Sequence, residues 1–310
     1  MCTRLLPPAF RAGPRVRAAL PAVWYRLLAA DQLNAGVVVD PRVTGAPSIV
    51  AFGMTAFIDE AFVDEQLASP RPYLSGLVYQ RLLAGESPIL DARQVRCANS
   101  SGSLNLLILH FGIAMTPSDT RNLAAVTAAQ DGFRLTHMGY GIRRVLQEGY
   151  GPQQLAFLTA GGFLLKSDYG GYYARTRAKP PAEERPFLVG LDREDPESQL
   201  PGSAISSLFQ AARPRFHFSP AEQRVLARAV MDEADDEIAD ALSVSGDAVK
   251  KIWRRIYERA AAVEPQLLGG AADRSALTRG KEKRRRLIRH LRYHLEELRP
   301  SAAKPPSRRV

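Results

Sequence analysis

LNLLILHFGIAM, Leu104–Met115, is the longest apolar run in the chain, and it decides the fold. It is too short to cross a bilayer, which takes about 20 helical residues, and it carries Asn105 and His110 within it. Unbroken apolarity over this length reads as a β-strand covered on both faces. Before it, AGVVVD (Ala35–Asp40) and SIVAFGMTAFI (Ser48–Ile58) are rich in Val, Ile and Phe and bounded by Pro and Gly, the composition of strands. DEAFVDEQLA (Asp59–Ala68) and YLSGLVYQRLLAG (Tyr73–Gly85) have helical spacing, with Gly85 as a stop. After it, IRRVLQE (Ile142–Glu148) and PQQLAFLTAGG (Pro152–Gly162) read as helices and FLLKSDY (Phe163–Tyr169) as a short strand. These elements predict an α/β or α+β domain over residues 31–175.

The 310 residues hold 42 Lys and Arg against 32 Asp and Glu, a net +10, and 45% of them are hydrophobic. That apolar fraction excludes wholesale disorder. With Cys2 and Cys97 as the sole cysteines, a disulfide framework or Cys-rich zinc site is excluded, and Cys97 reads as a small buried residue. Residues 1–30 form a basic segment with five arginines and no acid, carrying an amphipathic helix around Pro21–Ala30. Residues 176–215, rich in Pro and charge, read as a linker in which FLVGL (Phe187–Leu191) adds an edge strand. Residues 300–310 read as a disordered tail. With no transmembrane helix or signal peptide in this reading, a cytoplasmic protein without a membrane partner is expected.

Residues 216–265 predict three helices. Ser219 caps the first, Pro220 takes its first position and Glu222 completes a capping box. Asp235, Asp236 and Glu237 sit in the first turn of the second, at the positive end of its dipole. Ser245 caps the third, which buries Val249, Trp253 and Ile256 and leaves Lys250, Lys251, Arg254 and Arg255 on its other faces, with Arg259 one turn beyond. A further helix over 274–299 carries Lys283, Arg284, Arg285, Arg286 and Arg289 beside a Leu stripe.

FSPAEQRVLARAVMDEADDEIADALSVSGDAVKKIWRRIYER, Phe218–Arg259, resembles the helix-turn-helix of LuxR-type transcriptional regulators. The resemblance implies an all-α helix-turn-helix domain that inserts helix 245–259 into the major groove of double-stranded DNA, with Ser245, Lys250, Lys251, Arg254, Arg255 and Arg259 on bases and phosphates. Asp232 and Glu233 stand where that family has Gly, and Ala248 where it has Thr. The basic helix adds phosphate contact, with a membrane surface as its rival partner.

In the first domain, LNLLILHFG and LAFLTAGGFLLKSDY (Leu155–Tyr169) are similar to elements of GNAT-like N-acetyltransferases. That likeness implies a glycine loop for an acyl carrier, with Gly139 and Gly141 of THMGYG as its degenerate counterpart, Thr136 standing where Gln or Arg belongs. PAS-like and GAF-like sensor domains stay open as alternatives. The five histidines show no metal spacing save His290 and His294, and Ser100–Ser103 is no nucleophile elbow. The expectation is therefore a non-enzymatic, homodimeric DNA-binding regulator whose first domain senses a small ligand, without cofactor or metal. The alternatives are an N-acyltransferase with an accessory basic domain and a protein-interaction adaptor.

Overall fold

The computed structural model describes residues 6, 10–40, 49–113, 120–200, 203, 205–210, 212–269 and 279–301. Cys2 and, from residue 302 onward, the expected tail lie outside the described residues. The fold is mixed α/β, with a six-stranded sheet and 11 α-helices among the described residues. The chain divides into two compact units, Met1–His137 with Gly141–Gln210, and Met138–Tyr140 with Ala211–Val310.

The first unit is built on the sheet β1 (Asn34–Val39), β2 (Ile49–Ile58), β3 (Leu104–Ile113), β4 (Ile142–Tyr150), β5 (Leu164–Ser167) and β6 (Pro186–Asp192), in the order β1-β2-β3-β4-β6-β5. All neighbours are antiparallel except β3 and β4. A parallel pair needs a crossover, and α5 (Thr120–His137) provides it. As its continuous apolarity requires, β3 is interior, and Leu104–His110 are all buried.

Three expectations are corrected. IRRVLQE is β4, not a helix: Ile142, Val145 and Leu146 make a helical stripe on paper, but β3 and β6 flank the segment and Val145, Leu146 and Gln147 are buried in succession. Partners on both sides override local periodicity. FLVGL lies in β6, which is interior between β4 and β5 rather than at an edge, so the sheet reaches into the stretch 176–215 expected as a linker. Cys97, in α4 (Ala92–Ser101), is exposed rather than buried.

One face of the sheet carries α1 (Pro14–Ala29), α2 (Glu60–Ala68) and α3 (Leu74–Leu83) over a core that includes Leu20, Trp24, Met54, Val78, Tyr79 and Leu109. Asp59 caps α2 by accepting from the Phe62 amide at 2.7 Å. Between β2 and β3 the register slips: Thr55 faces Ile108 while Met54 faces His110. The extra residue turns Leu109 and His110, although consecutive, toward the same helices. The Leu109 carbonyl accepts from Ser75 Oγ at 2.6 Å. Trp24 Nε1 donates to Tyr79 Oη at 2.9 Å, which leaves the tyrosine proton for His110 Nε2 at 2.8 Å. Burial pushes the His110 imidazole down to about 3, so it stays neutral.

The second unit contains α8 (Pro220–Val230), α9 (Asp235–Ala241), α10 (Gly246–Val263) and α11 (Arg279–Tyr293). They enclose a core that includes Phe216, Leu226, Ile238, Val249, Trp253 and Leu291. The capping box of α8 is present, with the Ser219 amide donating to Glu222 at 2.7 Å, and Ser245 caps α10 through the Ala248 amide at 3.2 Å.

The Trp24, Tyr79 and His110 chain yields a test. Tyr79→Phe strands two buried polar groups at about 1–3 kcal/mol each. Its urea unfolding free energy is expected to fall by about 2–6 kcal/mol, and an unchanged value would show that the chain contributes nothing.

Candidate active site

The opposite face of the sheet holds α5 and α6 (Gly151–Ala160) over a cavity of about 740 Å³ within the first unit. That volume is inside the range of about 300–1,000 Å³ typical of small-molecule sites. The cavity owes its size to small residues: Gly36 and Gly53 on β1 and β2, Ala128, Ala129 and Gly132 on α5, and Ala160 with Gly161 at the end of α6. Its apolar wall is completed by Leu33, Phe52, Phe133, Phe157, Leu158 and Phe163.

The floor is set by strand register. β3 and β4 pair only from Leu104 opposite Ile142 to Ile108 opposite Gln147, after which β3 runs on to Ile113 and β4 to Tyr150 without pairing. At the last paired position Thr55, Ile108 and Gln147 stand in one row across β2, β3 and β4, and all three line the cavity. With strands about 4.8 Å apart, Thr55 and Gln147 are about 10 Å apart across Ile108. Gln147 is buried and lines the cavity. Thr55 Oγ1 is 2.8 Å from His137 Nε2, and His137 Nδ1 is 2.8 Å from the Phe133 carbonyl. Both Thr55 and His137 are buried, and His137 packs against Phe57 and Phe133.

Behind Gln147, Glu148 points to the other face. Its carboxylate accepts from the Tyr73 amide (2.7 Å), the Leu74 amide (3.0 Å), Tyr169 Oη (2.8 Å) and Tyr150 Oη (3.1 Å). It thereby caps α3, whose own cap residue Tyr73 has a left-handed backbone and no side-chain bond. Burial pushes the carboxyl up to about 7 against those four hydrogen bonds.

The glycine pair expected as a carrier loop does not form one. THMGYG precedes the strand β4, so no helix N-terminus stands behind it. The Gly141 amide donates to Asn99 Oδ1 at 2.6 Å, and a Cβ on Gly139 (φ +84°) would meet the Glu296 amide nitrogen at 2.3 Å. Both glycines serve close packing.

Half of the ten basic residues read from the second unit are engaged within it. Arg259 pairs with buried Glu222 at 3.1 Å, and Lys250 with Asp247 at 3.1 Å. Arg284 bonds Asp235 at 2.6 Å and the Glu233 carbonyl at 3.0 Å, its guanidinium 4.7 Å from the centre of the Trp253 ring. Arg285 and Arg286 share Glu282. Lys251, Arg254, Arg255 and Arg289 are exposed, and Lys283 is half-buried. Ser245 spends its hydroxyl on the α10 cap. The residues missed by sequence reading are Thr55, His137 and Gln147, whose association depends on strand register and on a helix end far along the chain.

No family model and no curated protein matches the chain. Among solved structures it is similar to FeeM, an N-acyl amino acid synthase from uncultured soil microbes, at 13% identity and a TM-score of 0.28, over 59% of this chain and 93% of that one. The expectation of a non-enzymatic transcription regulator is corrected: nothing found supports DNA binding, a LuxR-type identity or a non-enzymatic chain. No helix among the described residues is long and apolar enough to cross a membrane.

Glu148 gives a pH test. A carboxyl raised from 4.5 to about 7 in the folded state contributes stability that is full below pH 4.5 and is lost as pH rises through about 7. The slope is about 1.4 kcal/mol per pH unit within that window. Urea unfolding from pH 4.5 to 8 should show this decline in the parent protein and lack it in Glu148→Gln; parallel curves would assign the slope to another group.

Proposed function

We propose that the first unit is an N-acyltransferase, moving an acyl group from an activated donor such as a thioester to an amine. The observation that carries this reading is the parting of β3 and β4 over the floor of a large apolar cavity. Where the strands separate, an extended donor can lie between them, its carbonyl over the row Thr55, Ile108 and Gln147. The cavity favours an acyl chain over a charged or heavily hydroxylated ligand, since burying apolar surface is worth about 25 cal/mol per Å². Gln147 supplies a polar point in that wall: its amide N–H groups are donors for the carbonyl oxygen, and stronger donors as that oxygen gains charge.

Both substrates are thus ordered by this chain's own groups: the chain by the apolar wall, the carbonyl by Gln147, and the amine by the open side of the row. Amino acids are the first acceptors to examine. The helices beyond residue 215 we read as an all-α accessory unit of the enzyme.

The test is incubation of the full chain with short-chain and long-chain acyl thioesters and a mixture of amino acids, with amides detected by mass. Long chains are expected to react at lower KM. Ile108→Trp, which fills the floor, should raise the long-chain KM by about tenfold or more and affect the shortest donor far less. Absence of any amide from the parent protein would refute the activity, and equal KM values for the variant would refute the cavity as the chain's seat.

A further inference from the structure

We propose that Thr55 and His137 form the proton relay of this cavity, Thr55 as the catalytic residue that touches the reacting amine and His137 as the base behind it. The inference rests on the acyltransferase reading and adds the residues that would run its chemistry.

The tautomer follows from the partners. The Phe133 carbonyl can only accept, so His137 Nδ1 carries a proton and donates to it at 2.8 Å. In the neutral ring Nε2 is then bare, and the Thr55 hydroxyl 2.8 Å away is its donor. A hydroxyl bonded to an imidazole that is oriented by a third group is the arrangement by which a weak acid is made to take or give a proton on demand. Thr55 lies in the row at the parting of the strands, about 10 Å from Gln147, so a carbonyl held by Gln147 has its far side turned toward the hydroxyl. Phe57 and Phe133 pack on the imidazole and fix its orientation.

The step balances without another reactant. The neutral amine attacks the thioester carbonyl and the C–N bond forms. The nitrogen gives a proton to Thr55 Oγ1 as the threonine's own proton passes to His137 Nε2. Collapse of the tetrahedral adduct breaks the C–S bond, and the imidazolium returns its proton through Thr55 to the departing thiolate. Acyl thioester and amine become amide and thiol.

The experiment compares parent protein, Thr55→Ser, Thr55→Val and His137→Asn as full chains, using dodecanoyl-coenzyme A and the amino acid mixture for turnover and a non-reactive thioether analogue of that donor for binding. Thr55→Val keeps the shape of the side chain, so it remains informative if His137→Asn does not fold. Thr55→Val and His137→Asn are expected to lose about a hundredfold or more in kcat, with analogue affinity within threefold of the parent. Thr55→Ser is expected to restore most of the rate. An active parent with Thr55→Val turning over at the parent rate overturns the relay and leaves the acyltransferase reading standing. A parent that binds no analogue and forms no amide overturns both.

Discussion

The parallel pairing of β3 with β4, and its end at Ile108 and Gln147, is the constraint on which the first unit is arranged. Parallel neighbours cannot be joined by a tight turn, so the chain must leave the sheet after β3, cross one face as α5 and return to start β4. The crossover delivers His137 to that face at the helix end and sets the segment Ala128–His137 over the floor. Because the pairing stops while both strands continue, the sheet opens at the level where Thr55, Ile108 and Gln147 share a row. Strand register and the end of the crossover helix therefore decide together which polar groups meet.

The two faces of the sheet are built to opposite ends. On the α1 and α3 side the polar groups of Trp24, Tyr79 and His110 satisfy one another, and the Glu148 carboxylate takes up the free amides at the start of α3. The register slip between β2 and β3 helps by sending both Leu109 and His110 to that side. On the α5 and α6 side, Gln147 instead lines the cavity, where its amide faces the space an acyl donor would enter.

How much of this was legible in the chain depends on whether the signal was local. Continuous apolarity made β3 readable as an interior strand, and the Ser219 and Glu222 pair made the start of α8 readable, because each signal is complete within a few residues. β4 was not readable, since Ile142, Val145 and Leu146 fit a helix until β3 and β6 are known to flank them. Thr55 and His137 are 82 positions apart, and a lone Thr in a strand announces nothing. The basic rows of the second unit misled for a related reason. Counting Lys250, Arg259 and Arg284 along their helices shows charge but hides the carboxylates of Asp247, Glu222 and Asp235 that hold them.

The cavity itself argues for an occupant. Protein interiors are packed to the density of organic crystals, and truncating side chains to leave space costs about 24 cal/mol per Å³ of void. A chain free to fill the gap between α5, α6 and the sheet could have done so with larger residues at Ala128, Ala129, Gly132, Ala160 or Gly53, because none of these positions except the last lies in a strand. At Gly53 the nearest atom to an added Cβ is 4.0 Å away, so even there a side chain has room. Small residues on four elements at once therefore keep open a space that packing alone would close, and the apolar character of what surrounds it makes an acyl chain the occupant that returns the lost contacts.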